Sequence, residues 1–164
     1  MVYRYTPKTA PGRLEGLRIA RTLTLAGQTK PKQQHFLAPV PPLQLQTGDV
    51  VDVGLEIAGD RPMTHLQIED FLPAGLEAID RSFAIANPAV TAQPSAWEIQ
   101  HQEIRGDRVR GYAERLEPGA YEFHYLARAV TPGQYQWPGA TVTARYSPET
   151  FGRTVAAQLH LKEP

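Results

Sequence analysis

Hydrophobic and polar residues alternate with a period of two along much of this chain. Four segments show the pattern most clearly: Val51–Ala58, Tyr121–Val130, Ala140–Tyr146 and Thr154–Leu161. Four further segments show it more weakly: Leu17–Leu25, Met63–Asp70, Ala96–Glu103 and Arg108–Ala113. Because side chains of a strand point alternately to its two faces, each segment is predicted to be a β-strand with one buried face.

The breaks between these segments carry turn-forming residues. They are Gly48-Asp49, Gly59-Asp60, Gly106-Asp107, Pro118-Gly119 and Pro132-Gly133. Short strands with such turns between them favour antiparallel neighbours. We therefore predict an all-β fold, an antiparallel two-sheet β-sandwich of immunoglobulin-like type. Its predicted buried residues are Val53, Leu55, Ile57, Leu66, Ile68, Tyr121, Phe123, Tyr125 and Val142.

Helix is predicted only as one or two short turns. Ser147 suits an N-cap, Pro148 suits the first helical position and Glu149 suits the first turn. A second turn is expected within Asn87–Ser95, and the proline-rich Lys30–Pro42 is expected to be an extended loop.

Composition excludes several classes of function. The 164 residues suit one domain, and 17 basic residues balance 17 acidic ones, without the basic excess that nucleic-acid binding requires. The absence of cysteine excludes disulfides, thiolate metal ligands and a cysteine nucleophile. No segment has the length and hydrophobicity of a membrane span, and the N-terminus lacks a signal-peptide pattern.

The sequence contains no recognisable catalytic or cofactor-binding motif. None of its serines lies in a nucleophile elbow, and its five histidines lack zinc-site spacing and are expected on solvent-facing strand positions. We expect the Asp70 side chain to form hydrogen bonds with backbone groups at the end of a strand. Three arginines, Arg105, Arg108 and Arg110, are interpreted as a solvated hairpin balanced by acidic neighbours, with an anion-binding patch as the alternative. Three aromatic residues, Trp97, Tyr135 and Trp137, are assigned to the core, with an exposed ligand patch as the alternative.

Several segments in order resemble one protein family. They are Gly16–Arg21, Leu45–Val51, Ile68–Glu77, His101–Val109, Leu116–Gly133 and Tyr146–Arg153. Together they resemble the C-terminal macroglobulin-type domain of bacterial alpha-2-macroglobulins. The resemblance implies a C-terminal β-sandwich domain over residues 14–164. It also implies that residues 1–13 are a strand or linker from the preceding domain.

The resemblance implies a non-catalytic part of a large extracytoplasmic, periplasmic protease trap. In that family a thioester in a neighbouring domain captures the protease, and a tyrosine of the C-terminal domain shields it from water. The implied partners are the thioester-type and preceding β domains of the same polypeptide, and target proteases through the whole molecule. No cofactor, metal, nucleic acid or direct membrane contact is implied.

Tyr146 is the candidate shielding residue, because it lies in a segment similar to the family's Tyr-x-Pro. Arg145 precedes it where the family often has Met. The candidate interdomain contact site comprises Tyr146, Ser147, Pro148, Phe151 and Arg153. Two alternatives remain open at this point. Tyr146 could instead be a core or strand-end residue, and the chain could instead be a free-standing adhesion or carbohydrate-binding sandwich.

Overall fold

The computed structural model describes residues 12–25, 33–35, 42–80 and 93–164. These residues form fourteen strands and contain no helix. The strands are β1 (Arg13–Glu15), β2 (Arg18–Leu25), β3 (Gln33–His35), β4 (Leu43–Gln46), β5 (Val50–Gly59), β6 (Met63–Phe71), β7 (Leu76–Ile79), β8 (Ile99–Arg105), β9 (Arg108–Leu116), β10 (Gly119–Ala129), β11 (Gly133–Trp137), β12 (Thr141–Ala144), β13 (Ser147–Arg153) and β14 (Ala157–Lys162).

Two large antiparallel sheets make up most of the fold. The first has the order β1-β13-β12-β6-β9-β8, and the second has the order β3-β2-β5-β10-β7. Their inner faces share one hydrophobic core, since Leu66, Ile68 and Val142 of the first sheet are buried with Leu55 and Phe123 of the second. The predicted all-β sandwich is confirmed. Eight of the nine residues predicted to be buried are buried, and the ninth, Tyr121, is half-buried.

A third, three-stranded sheet was not predicted. Its order is β11-β14-β4, and β14 pairs with β4 in parallel. β4 lies just beyond the segment predicted to be an extended loop, and β3 lies within that segment. Strands of three or four residues are too short to show a period of two, and their pairing partners lie far away in the sequence.

The predicted helical turn at Ser147 is wrong. Ser147 instead begins β13, because its backbone pairs with Ala144 and closes a hairpin. The register between β12 and β13 then shifts by three residues, so Pro148, Glu149 and Thr150 have no partner in β12. Proline lacks a backbone donor and suits such a bulge. Most of the second predicted turn lies outside the described residues, and 93–95 contain no helix.

β13 crosses closely over the chain at the start of β2. A Cβ atom added at Gly152 would lie 2.5 Å from the backbone oxygen of Leu17, a distance that real Cβ atoms do not show. By contrast, no atom lies within 4 Å of the corresponding position at Gly106, in the turn between β8 and β9. A glycine is therefore required at position 152 for packing.

Residues 1–11 of the predicted strand or linker from a preceding domain lie outside the described residues. The first described strand, β1, adds to the edge of the first sheet through Arg13, Leu14 and Glu15, which pair with β13. All three side chains are exposed. The proposed boundary between residues 13 and 14 thus falls inside β1.

Candidate functional site

Tyr146 lies at the tip of the hairpin formed by β12 and β13. Ala144 pairs with Ser147, so Arg145 and Tyr146 form a two-residue turn. Neither has a positive φ, so the turn is not one of the types whose twist matches the flanking strands. Other two-residue turns splay the strands apart, which accounts for the bulge that follows in β13.

The Tyr146 side chain projects from the sandwich instead of entering the core. It is 77% exposed, which is unusual for an aromatic residue next to a strand. Its ring meets the His65 ring edge-to-face, with centroids 4.9 Å apart and an interplanar angle of 83°. The Arg145 N–H also donates to the His65 carbonyl oxygen at 2.9 Å. These two contacts fix the hairpin tip against β6.

A small cleft of about 200 Å³ lies beside the tyrosine. It is lined by Arg61, Pro62, Met63, Thr64, Ala144, Tyr146, Ser147 and Thr150. The Arg61 guanidinium lies 3.5 Å from Thr150 Oγ1 and thereby joins the β5–β6 turn to the bulge of β13. Tyr146 thus borders this cleft and also contacts the His65 ring.

The five candidate contact residues do not form one cluster. Tyr146, Ser147 and Pro148 share the hairpin tip, whereas Phe151 and Arg153 pair with β12 and β1 further along the sheet. Arg153 pairs with Thr141, which lies three residues along β12 from Ala144, so Arg153 lies about 10 Å along the strand from the tip. The Arg13 guanidinium covers the Phe151 ring at 5.5 Å. Only the first three candidates are placed to contact a partner at the tip.

His65 was missed by the sequence analysis. It is the only described residue other than glycine with a positive φ, at 53°. A regular strand would bury alternate residues, yet Met63 and Leu66 are both buried and the two residues between them are exposed. The left-handed backbone conformation of His65 interrupts the alternation, so that buried residues are three positions apart here instead of two. A three-residue spacing of apolar residues inside an alternating segment was the available signal.

A buried polar cluster joins the three sheets. Asp70 on β6 is fully buried and accepts hydrogen bonds from the Tyr125 hydroxyl at 2.7 Å and Trp137 Nε1 at 3.2 Å. Its other neighbour is the buried Arg21 guanidinium, at 3.4 Å. Burial raises the pKa of Asp70, although Arg21, Tyr125 and Trp137 each act to lower it. The expectation that Asp70 bonds backbone is therefore wrong, since its partners are side chains.

Arg21 is held on several sides within this cluster. Its Nη2 also donates to the Pro138 carbonyl and lies 3.4 Å from Thr154 Oγ1, and its guanidinium lies 4.5 Å from the Trp137 ring centroid. Its Nε and Nη1 atoms are buried without hydrogen-bond partners in the described part of the chain. Trp137 is completely buried and Tyr135 packs partly buried against the core, as expected.

His124 forms a second buried pair. Its Nδ1 lies 2.6 Å from Asp52 Oδ1, and the other Asp52 oxygen accepts from the Gln93 N–H at 2.7 Å. Burial acts to lower the pKa of His124, but Asp52 and Glu122 outweigh it and hold that pKa above its usual value. Ser95 Oγ bonds the backbone of His124 instead of its ring, so these residues do not form a catalytic triad.

The expectation of solvent-facing histidines is wrong for His124. It holds for His65 and His101, which are exposed, while His160 is half-buried and the side chain of His35 lies outside the described residues. Among the described residues, no group of three histidines or carboxylates is placed to hold a metal ion. The described part of the chain also has no helix with the length and hydrophobicity to cross a membrane.

Acidic neighbours balance the three arginines of the β8–β9 hairpin, as interpreted from the sequence, although one of these neighbours, Glu69, lies on β6. Arg110 pairs with Glu69, Arg108 pairs with Asp107 at 3.1 Å, and Arg105 pairs with Glu103. These groups lie on the outer face of β8 and β9 and compensate one another's charge. They leave no unbalanced cationic patch for an anion.

Trp97 contradicts the expectation that it belongs to the core. Its side chain is 80% exposed and borders an open groove of about 570 Å³. The groove is lined by Thr64, His65, Trp97, Glu98, Gln100, Glu114, Arg115, Glu117 and Tyr121. Since His65 and Thr64 also border the hairpin tip, the two exposed aromatic residues lie on neighbouring parts of one surface.

Comparisons with known proteins identify a family for this chain. The model of the bacterial alpha-2-macroglobulin MG10 domain matches residues 16–149. An alpha-2-macroglobulin homolog from Nostoc sp. is 47% identical over 93% of this chain, and the alpha-2-macroglobulin of Escherichia coli is 32% identical over 73%. The chain spans about 8% of the length of either relative.

Solved structures agree with the sequence relatives. Salmonella alpha-2-macroglobulin reacted with methylamine superposes with a TM-score of 0.72 at 28% identity, over 96% of this chain and 10% of that one. Escherichia coli alpha-2-macroglobulin activated by porcine elastase gives 0.73 at 26% identity, over 93% of this chain and 14% of that one. This chain therefore belongs to the MG10 domain family of bacterial alpha-2-macroglobulins.

Proposed function

We propose that this chain is the C-terminal, non-catalytic domain of a bacterial alpha-2-macroglobulin-like protease inhibitor, and that its β12–β13 hairpin covers a thioester in a neighbouring domain. Tyr146 supplies the cover, with Ser147 and Pro148 beside it. The partners are the thioester-type and preceding β domains of the same polypeptide. Target proteases are met by the whole molecule, outside the cytoplasm, and the domain itself uses no cofactor.

The exposure of Tyr146 is the observation that carries this proposal. A thioester is an activated acyl group, and water hydrolyses it unless the site is closed. An aromatic ring excludes water over a broad area, while its hydroxyl can keep one hydrogen bond at the edge. Tyr146 presents such a ring outward, on a hairpin tied to β6 rather than on a free loop.

The names of the solved relatives add chemical support. One relative was solved after reaction with methylamine and another after activation by porcine elastase. Methylamine is a nucleophile of the kind that opens a thioester, and elastase is a protease. We transfer both properties to the parent of this chain as part of the proposal. In the reaction, a bond forms between the amine nitrogen and the acyl carbon, while the carbon–sulfur bond breaks and releases a thiol.

The release of that thiol provides the test. This chain contains no cysteine, so any thiol that appears when the parent protein meets methylamine comes from another domain. We expect Tyr146→Gly to release the thiol several-fold faster than wild type, in methylamine and in buffer alone. Trp97→Ala is the matched control, because it removes an equally exposed aromatic residue from the same surface. It should leave the rate unchanged.

Two results would refute the proposal. Equal rates for Tyr146→Gly and wild type would remove Tyr146 from the shielding role. A wild-type parent that releases no thiol and incorporates no methylamine would show that there is no thioester to shield. The melting temperature should fall only slightly in Tyr146→Gly, because the edge-to-face contact that it loses is worth about 0.5 to 1.5 kcal/mol.

A second candidate function rests on Trp97. An exposed tryptophan beside an open groove is also suited to stacking on a sugar ring, as expected of a free-standing carbohydrate-binding module. The family assignment supports the first function over this one. Titration of the chain with oligosaccharides would decide, since binding that is lost in Trp97→Ala and kept in Tyr146→Gly would favour the second.

A further inference from the structure

Tyr146 contacts a residue that can hold its ring in one orientation. Only one aromatic neighbour of Tyr146 is found in the described part of the chain, and it is His65. Because the tyrosine is exposed on its other sides, few contacts remain to select one orientation of its ring. A ring that samples several orientations would cover a neighbouring group for only part of the time.

The backbone of His65 places its ring for this contact. In an extended strand the residue before Leu66 would continue the pleat, and Met63 would then point to solvent. The positive φ of His65 turns Met63 into the core and keeps Thr64 and His65 on the outer surface. Histidine tolerates this conformation better than most residues, although asparagine and glycine tolerate it as well or better.

The backbone requirement alone therefore does not call for histidine. Asparagine would meet it at least as well, and it lacks a ring. The histidine ring is what meets Tyr146 edge-to-face, an arrangement that aromatic pairs prefer. The His65 carbonyl simultaneously holds the Arg145 N–H, so one residue fixes both the turn backbone and the tyrosine ring.

We infer that His65 is a positioning residue, which holds the Tyr146 ring in the orientation that covers the thioester. This inference rests on the proposed function. His65 does not touch the reacting group and acts only through Tyr146. Edge-to-face pairs are worth about 0.5 to 1.5 kcal/mol, so loss of the ring should weaken the preferred orientation about two- to tenfold.

The first measurement is made on this chain alone. At 18.2 kDa it suits nuclear magnetic resonance with labelled aromatic side chains. We expect magnetisation transfer between the His65 and Tyr146 rings, and loss of the ring-current shift of Tyr146 in His65→Asn. His65→Phe should retain the ring contact, although its positive φ will lower the melting temperature. An unchanged Tyr146 spectrum in His65→Asn would overturn the inference.

A matched control exists on the neighbouring strands. His101 lies 5.7 Å from Tyr112, measured between ring centroids, and is likewise exposed. His101→Asn removes the same ring from another histidine–tyrosine pair, whose rings are tilted at 39° and whose strands, β8 and β9, are not part of the hairpin. It should shift the signals of Tyr112 and leave those of Tyr146 unchanged.

The second measurement uses the parent protein and thiol release in methylamine. His65→Asn should speed release about two- to tenfold, and less than Tyr146→Gly does. Combined with Tyr146→Gly it should add nothing, because His65 acts only through that ring. His101→Asn should have no effect. A merely structural role for His65 would lower the melting temperature without this dependence on Tyr146.

The outcomes separate the two proposals. If Tyr146→Gly speeds thiol release and His65→Asn does not, the positioning role is overturned and the shielding role stands. An additive effect of His65→Asn in the Tyr146→Gly background would also overturn the positioning role. If Tyr146→Gly itself has no effect, the shielding role fails, and the role of His65 fails with it.

Discussion

Replacing Asp70 with Asn should destabilise this domain far more than any surface change. The carboxylate is fully buried and is the only acidic group within ion-pair distance of Arg21 in the described part of the chain. Asn keeps nearly the same shape but carries no charge, so the buried guanidinium loses its counter-charge. Its single oxygen can accept from Tyr125 or from Trp137, but not from both in the present geometry.

The magnitude follows from known costs of such changes. Removing one partner of a buried ion pair lowers the free energy of unfolding by about 3 to 5 kcal/mol, because the other charge is left uncompensated. The unsatisfied Tyr125 or Trp137 donor contributes to the same loss, so we do not add it separately. With a urea slope of about 2 kcal/mol per molar, the midpoint of unfolding should fall by about 2 M.

Glu69 provides the control, because it is the adjacent carboxylate on the opposite face of β6. It pairs with Arg110 and Arg108 near the surface. Glu69→Gln should cost about 1 kcal/mol, less than Asp70→Asn, because the Glu69 side chain and both of its arginine partners keep part of their surface in contact with solvent. The assay is urea unfolding of the wild type and both variants, followed by circular dichroism and tryptophan fluorescence, with the slopes compared to verify two-state behaviour.

Removing Arg21 in the same molecule tests the cause. If the uncompensated charge produces the loss, Arg21→Met with Asp70→Asn should cost about 0.5 to 3 kcal/mol less than the sum of the single changes. Strict additivity would refute the charge argument. So would an Asp70→Asn variant that is no less stable than Glu69→Gln.

Three further predictions concern other parts of the fold. Since Asp52 holds the pKa of His124 above its usual value, stability should be fullest below about pH 6.5 and fall as pH rises through the folded-state pKa; melting curves should lose this slope in His124→Gln. Gly152→Ala should cost about 1 to 3 kcal/mol in urea unfolding and Gly106→Ala almost nothing, because only the first forces backbone apart. Deletion of Met1–Pro11, which precedes the exposed strand β1, should shift the melting temperature by less than about 2 °C, since a larger loss would place that segment within the sandwich.

The two large sheets could be predicted because each long strand shows its alternating pattern within a short stretch of sequence. β5 and β10 are ten and eleven residues long, hydrophobic residues alternate along most of each, and the two strands pair along almost their full length. β4 could not be predicted, since its partner is the last strand of the chain and the pairing is parallel. Sequence periodicity reports which face of a strand is buried, and it does not report a distant partner.

Local capping chemistry gave the wrong structure at Ser147. Ser, Pro and Glu in succession favour the start of a helix, but the pairing of Ser147 with Ala144 commits the chain to a hairpin. β13 then gains neighbours on both sides, β12 and β1, and its backbone bonds outweigh a single cap. Tertiary pairing overrode a weak local preference at the position where the candidate site lies.

The buried charges could not be predicted for a different reason. Nothing in the spacing of the sequence pairs position 21 with position 70. Their burial depends on which faces of two separate sheets meet. The local sign is a charged residue on the face of a strand that carries the apolar residues: Asp70 shares its face with Leu66 and Ile68. Arg21 likewise shares its face with Ile19 and Leu23.

The same strand links this buried cluster to the exposed site. β6 lies between β12 and β9, paired with both, and it carries Asp70 near one end and His65 near the other. Asp70 fixes the strand to the second and third sheets through Tyr125 and Trp137, so β6 has anchors besides its pairing with the hairpin strand β12. His65 therefore presents its ring from a rigid support. A cover that must exclude water continuously needs such a support, because precision in a site comes from the element that carries it.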